Sequence, residues 1–177
     1  MDIKIINNFF SKTAYADFRN AFDQPKWKLL NNVSTEAKDG PGLVRLFGGE
    51  DEEFYLSLFP VHVISRELEK EYYCHRMRFR ITWPCENTGA DPHIDCEEHN
   101  RDFDITAIIY PQDSDGDTII YDSVYPDPFN KEAEFIKFTP KANTCVIMMK
   151  KYWHHGMRPV KTKLRSTINI NLKEHKQ

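Results

Sequence analysis

The chain has 177 residues, 40% of them hydrophobic and 13% aromatic, which is enough to bury a core without disulfide staples and too much for a disordered chain. No apolar run approaches the ~20 residues that a membrane helix needs. The net charge of −3 gives no overall attraction to nucleic acid. The opening MDIKIINNFF lacks a basic start followed by an apolar stretch, so no secretory signal is expected and the chain is placed in the cytoplasm.

In chain order, residues 2–6 (DIKII) read as a strand and residues 11–22 as a helix, capped by Ser11, with Tyr15, Phe18 and Phe22 on one face. WKLL at 27–30 reads as a strand. The polar stretch 36–53, with Gly40-Pro41 and Gly48-Gly49, reads as loop. Residues 61–73 carry a second helical pattern. The texture then changes to short β-rich runs bounded by Pro, Gly, Asp or Asn: 76–83, 104–110, 117–122, 134–138, 144–149 and 166–171. Six strands without intervening helices imply antiparallel pairing in a sandwich, jelly roll or small barrel. The expected class is α+β, with helices first and an all-β body after.

Charge is unevenly spread. Residues 150–177 hold eight Lys/Arg against one acid, leaving 16 bases against 26 acids in the rest. That basic end reads either as a solvated edge strand or as a pocket for an anion. Cys74, Cys85, Cys96 and Cys145 form no C-x-x-C pair and read as free, mostly buried thiols.

The chemistry-bearing residues begin with His93-Ile94-Asp95. On extended chain, positions i and i+2 point to one side, so an imidazole and a carboxylate converge. A second histidine on a later strand would complete two His and one carboxylate, the facial arrangement that holds Fe(II) with positions left open. The segment Trp153-His154-His155-Gly156-Met157-Arg158-Pro159-Val160 supplies two candidates, and only one should ligate because strand neighbours face opposite ways. Arg165, opening the last strand, can grip a carboxylate through two parallel hydrogen bonds, and Thr167 faces the same way.

This ordered set resembles the Fe(II)- and 2-oxoglutarate-dependent dioxygenase superfamily, closest in motif to its prolyl-hydroxylase-like branch. The residues carrying the resemblance are His93/Asp95, Thr106 to Tyr110, Gly116-Asp117-Thr118, Pro140 to Asn143, and His155 to Pro159-Val160 with Arg165 ten residues after His155. The resemblance implies one domain over 1–177: a helical or mixed part over 1–75, and a double-stranded β-helix (jelly roll) core over about 76–172 with the N-terminal helices packed on it. It implies Fe(II) held by His93, Asp95 and His155, with His155 favoured over His154 by the count to Pro159-Val160 and Arg165. It also implies 2-oxoglutarate as cosubstrate on Arg165, with Thr167 and Tyr110 assisting, and O₂ as oxidant. Succinate and CO₂ would be released as a substrate is hydroxylated. The stretch Trp83-Pro84 to Thr88-Gly89 looks like the branch's Y-P-x-x-x-T-G segment. Here Trp83 replaces the Tyr, and its indole can donate but not accept. Asn143 replaces a turn glycine and tolerates a left-handed backbone.

Other residues stay open between two readings. Arg76, Arg78 and Arg80 form either an outward polar face or a rim for substrate or cosubstrate. Glu97, Glu98 and His99 form a solvated loop near the iron. Residues 121–129, with Tyr121, Tyr125 and Phe129, are a candidate lid, and Arg158 is placed at the cleft entrance. The expected partner is a small-molecule or peptide substrate (a peptidyl proline, an amino acid or another small molecule), with neither nucleic acid nor membrane. The rival readings are a cupin-like metal- or ligand-binding module that does no oxidation, and a degenerate oxygenase kept for protein contacts.

Overall fold

The computed structural model describes residues 1–22, 28–30, 42–47, 55–86, 90–96 and 101–176. Among the described residues, two helices, α1 (Lys12–Phe22) and α2 (Tyr55–Leu68), accompany ten strands. These are β1 (Ile3–Asn7), β2 (Lys28–Leu30), β3 (Gly42–Phe47), β4 (Tyr72–Thr82), β5 (Ile105–Tyr110), β6 (Thr118–Val124), β7 (Phe135–Phe138), β8 (Thr144–Met148), β9 (Tyr152–Gly156) and β10 (Arg165–Glu174). All pairings are antiparallel. A seven-stranded sheet runs β1-β8-β5-β10-β4-β3-β2, and a three-stranded sheet runs β7-β6-β9.

The side-chain period of two explains the layering. On β5, Ile105, Ala107 and Ile109 enter one core with Phe18 of α1 and Val61 and Ile64 of α2. Ile108 and Tyr110 enter a second core with Ile120 of β6 and Tyr152 of β9. The large sheet is thus covered on both faces, by helices on one and by the small sheet on the other. Its central strands therefore read as unbroken buried runs rather than alternating ones.

Several expectations are corrected. Gly42–Phe47, inside the stretch read as loop, is a strand paired with β4. The second helix is Tyr55–Leu68 rather than 61–73. It stops where Glu69 turns left-handed (φ 54°) and the Lys70 N–H bonds back to the Ser65 carbonyl at 3.1 Å, which frees Tyr72 to open β4. The basic C-terminal strand is no edge: β10 lies at the centre of the large sheet. At the start of α1, Ser11 Oγ accepts from the Ala14 N–H at 3.3 Å, as a cap should. Asn143 is left-handed (φ 56°), and its side chain bonds both the N–H and the C=O of Phe10. Trp27, most of 36–53, Thr88-Gly89 and 97–100 (with Glu97, Glu98 and His99) lie outside the described residues.

Candidate metal centre and anion pocket

His93 lies on the loop after β4 and makes a two-way backbone bridge with His154 of β9, N–H to O at 3.0 Å in each direction. Directly opposed residues send their side chains to one side, and the two imidazole centroids are 5.0 Å apart. Asp95, two positions on, joins them. Ligand atoms of His93, Asp95 and His154 all lie within 4.8 Å of one another, and all three residues are buried. The structure thus groups His154, rather than the expected His155, with His93 and Asp95. His154 pairs with Ile120 and shares its inward side; His155 pairs with Ile119 and turns the other way. There His155 Nδ1 is 3.5 Å from the Tyr121 hydroxyl. The choice was a matter of strand parity, and the bridge to His93 sets that parity.

Tautomers are fixed by the backbone. His93 Nδ1 is 2.9 Å from the Asp91 carbonyl, and His154 Nδ1 is 2.9 Å from the Tyr152 carbonyl. A carbonyl only accepts, so each Nδ1 carries a proton and leaves Nε2 as the atom turned toward the site. His154 Nε2 then faces Asp95 Oδ2 at 3.5 Å. At that distance either a proton on Nε2 or a metal cation can join the two atoms. Burial pushes His93 down to about 3, reinforced by the neighbouring His154, so it stays neutral. For Asp95 burial acts upward, but His154 and Arg76 outweigh it and hold the carboxyl below its ordinary range. Two imidazoles, one carboxylate and no thiolate suit a divalent iron-like ion better than structural zinc.

Asp95 is also held from behind. It accepts from Asn169 Nδ2 (3.0 Å to Oδ1, 3.1 Å to Oδ2), from Asn171 Nδ2 (3.1 Å) and from Thr106 Oγ1 (3.2 Å). The sequence reading passed over both asparagines. The available signal was their spacing: 167, 169 and 171 alternate with Ile168 and Ile170 and share the face of Arg165.

Arg165 is 5% exposed. Its Nε donates to the Gly116 carbonyl at 2.7 Å and its Nη2 to Thr118 Oγ1 at 2.8 Å. No carboxylate among the described residues lies within ion-pair distance, and burial lowers the guanidinium to about 10. A buried cation without a carboxylate calls for an anion from outside. Gly156 makes room for it: a Cβ there would sit 2.9 Å from both Nη atoms. The cavity joining these groups is lined by Arg80, His93, Ile108, Thr118, His154, His155, Gly156, Arg165, Thr167 and Asn169.

The remaining expected residues separate. Thr167 lines the cavity opposite Arg80. Tyr110 stands one bond behind it: its hydroxyl meets Thr118 Oγ1 at 2.7 Å, and Thr118 in turn receives Arg165. Trp83 is half-buried and absent from the lining; its carbonyl accepts from Arg158 Nη1 at 3.0 Å. Arg158 is therefore buried against the chain rather than at an entrance. Arg76, Arg78 and Arg80 are half-buried on the face shared with Asn171, Asn169 and Thr167, not on an outward polar face. Within 121–129, Phe129 packs on Tyr121 (4.9 Å) and on Trp153 (5.6 Å).

No family model and no curated protein matches the sequence. Among solved structures, the chain is similar to an oxidoreductase of the 2OG-Fe(II) oxygenase family from Burkholderia pseudomallei (TM-score 0.70, 12% identity, 98% of this chain and 86% of that one). It is also similar to a Pseudomonas putida prolyl-4-hydroxylase (TM-score 0.58, 15% identity, 98% and 92%). A third likeness is to HygX from Streptomyces hygroscopicus, solved with nickel and 2-oxoglutarate bound (TM-score 0.63, 8% identity, 97% and 82%). The chain therefore has the fold seen in Fe(II)/2-oxoglutarate oxygenases, prolyl hydroxylases included. Among the described residues no helix is long and apolar enough to cross a membrane.

Proposed function

We propose that the protein is a non-haem Fe(II)- and 2-oxoglutarate-dependent oxygenase built as a single jelly-roll domain with helices on one face. The observation that carries this reading is the buried cluster of His93, Asp95 and His154, whose ligand atoms all lie within 4.8 Å of one another, beside a buried arginine. His93, Asp95 and His154 would hold the iron, which supplies O₂ activation when bound. Arg165 would receive the distal carboxylate of 2-oxoglutarate, with Thr118 and Thr167 offering hydroxyls and Tyr110 buttressing Thr118. The net reaction balances as 2-oxoglutarate plus O₂ plus R–H giving succinate, CO₂ and R–OH, one oxygen atom going to each organic product. This chain's own residues bind, orient and exclude water: His93 and His154 would offer Nε2 to the metal, and the asparagine amides fix the carboxylate. The substrate class is a peptidyl proline, an amino acid or another small molecule, in the cytoplasm.

The test is succinate formation followed by NMR with Fe(II), O₂ and 2-oxoglutarate, in wild type and Asp95→Ala. Slow succinate release by wild type alone supports the reading. Tight iron binding with no response to 2-oxoglutarate would leave a non-oxidative metal-binding module instead.

A further inference from the structure

Asn169 stands out among the groups around the cavity. It is 8% exposed and lines the cavity. Its Nδ2 reaches both oxygens of Asp95, at 3.0 and 3.1 Å. An ionised carboxylate only accepts, so the atom meeting it must be the amide nitrogen, and the flip ambiguity of an asparagine side chain disappears. The amide is planar, so Oδ1 is turned away from Asp95. That oxygen is buried and has no hydrogen-bond partner. A buried acceptor left unmade is costly, and native structures rarely keep one without a water, an ion or a ligand to fill it. Asn171, the other amide on Asp95, spends its Nδ2 on Asp95 and Thr106 Oγ1, and its Oδ1 accepts from Cys96 Sγ at 3.4 Å. The two asparagines thus differ: Asn171 has its polar ends partnered, whereas Asn169, which lines the cavity, keeps Oδ1 unpartnered.

We propose that Asn169 is a positioning residue with two ends, its amide N–H fixing the Asp95 carboxylate and its carbonyl accepting a hydrogen bond from a water that the metal holds on the cavity side. The inference rests on the reading of His93, Asp95 and His154 as metal ligands and adds a role for a fourth residue. It couples the orientation of one ligand to the occupancy of the open face. Replacing Asn169 therefore changes the water as well as the affinity, whereas replacing Asn171 changes the affinity alone.

The test loads the full chain with Mn(II) and measures its affinity and, at saturating metal, the relaxation enhancement of water protons, which reports water held on the ion. Asn169→Leu and Asn171→Leu are each expected to weaken Mn(II) binding by ~10–100-fold, the usual cost of losing a partner behind a ligand. Only Asn169→Leu should shift the relaxation enhancement at saturation. Asn169→Thr, whose hydroxyl can donate to Asp95 and accept from water, should restore it. If Asn169→Leu fails to fold by circular dichroism, Asn169→Ala takes its place in the comparison. Wild-type relaxation in a folded, saturated Asn169→Leu or Asn169→Ala protein overturns the proposal, because Oδ1 then receives its donor from the protein, with Arg78 opposite it in register the first candidate. Failure of wild type to bind Mn(II) at all would instead remove the metal reading underneath.

Discussion

Gly156→Ala is the sharpest perturbation the geometry offers. In isolation it should stabilise, since alanine in a strand is favoured over glycine by roughly 0.5–1 kcal/mol. In this site the new methyl would sit 2.9 Å from Nη1 and Nη2 of Arg165 and 3.0 Å from Cζ. An arginine tip usually swings aside cheaply, but this one is pinned by bonds to the Gly116 carbonyl (2.7 Å) and Thr118 Oγ1 (2.8 Å). Its Cδ also lies where a Cβ on Gly116 would fall, so it has no retreat on that side. Moving the guanidinium by the half-ångström or so required strains one or both charge-assisted bonds, each worth about 1.5–3 kcal/mol. The loss falls on the group proposed to receive the cosubstrate carboxylate, so 2-oxoglutarate affinity should drop by ~10–150-fold. Anaerobic calorimetry with metal-loaded protein measures the affinity, and thermal melting shows that the fold persists. Unchanged affinity together with an equal or raised Tm would refute the placement of Arg165 beneath Gly156.

Three further outcomes follow from the same site. Thr118→Val removes the partner of both Arg165 Nη2 and the Tyr110 hydroxyl, so Tm should fall by ~4–12 °C, from about 2–3 kcal/mol at 2–4 °C per kcal/mol; an unchanged melt would break the Tyr110–Thr118–Arg165 chain. His93 stays neutral in the fold down to about 3 but takes a proton near 6.5 once unfolded. Between those values the unfolded chain holds the extra proton, so metal-free stability must fall as pH drops below 6.5, with about 2 kcal/mol lost at pH 5 from His93 alone, and a flat melting profile from pH 7 to 5 would contradict the assignment. Cys85 is exposed while Cys145 is buried, where burial raises its thiol pKa, so a thiol reagent should label Cys85 rapidly and Cys145 only on unfolding; rapid labelling of Cys145 would contradict the packing of β8.

Local pattern carried much of this architecture. The β-rich runs from 76 onward, the capped first helix and the left-handed turn at Asn143 each depend on a few adjacent residues. What the sequence concealed depends on partners far along the chain. Gly42–Phe47 is a strand because β4 pairs with it, and its Gly and Pro surroundings hide that. His154 rather than His155 meets Asp95 because His93, some sixty residues earlier, bridges to it and fixes which side faces in. Arg165, Thr167, Asn169 and Asn171 form one inward row only because β10 is central and covered on both faces, while a basic C-terminal segment on its own reads as solvated edge. Thr118, quoted only as part of a turn, proved to join Tyr110 to Arg165.

The central claim is that His154, with His93 and Asp95, holds an iron to which 2-oxoglutarate binds. Its most direct test is the anaerobic visible spectrum of Fe(II)-loaded protein on addition of 2-oxoglutarate, with His154→Ala and His155→Ala in parallel. The account predicts a weak metal-to-ligand charge-transfer band in wild type and His155→Ala, lost in His154→Ala. No band in folded, iron-loaded wild type, or a band that survives His154→Ala and vanishes in His155→Ala, would contradict it.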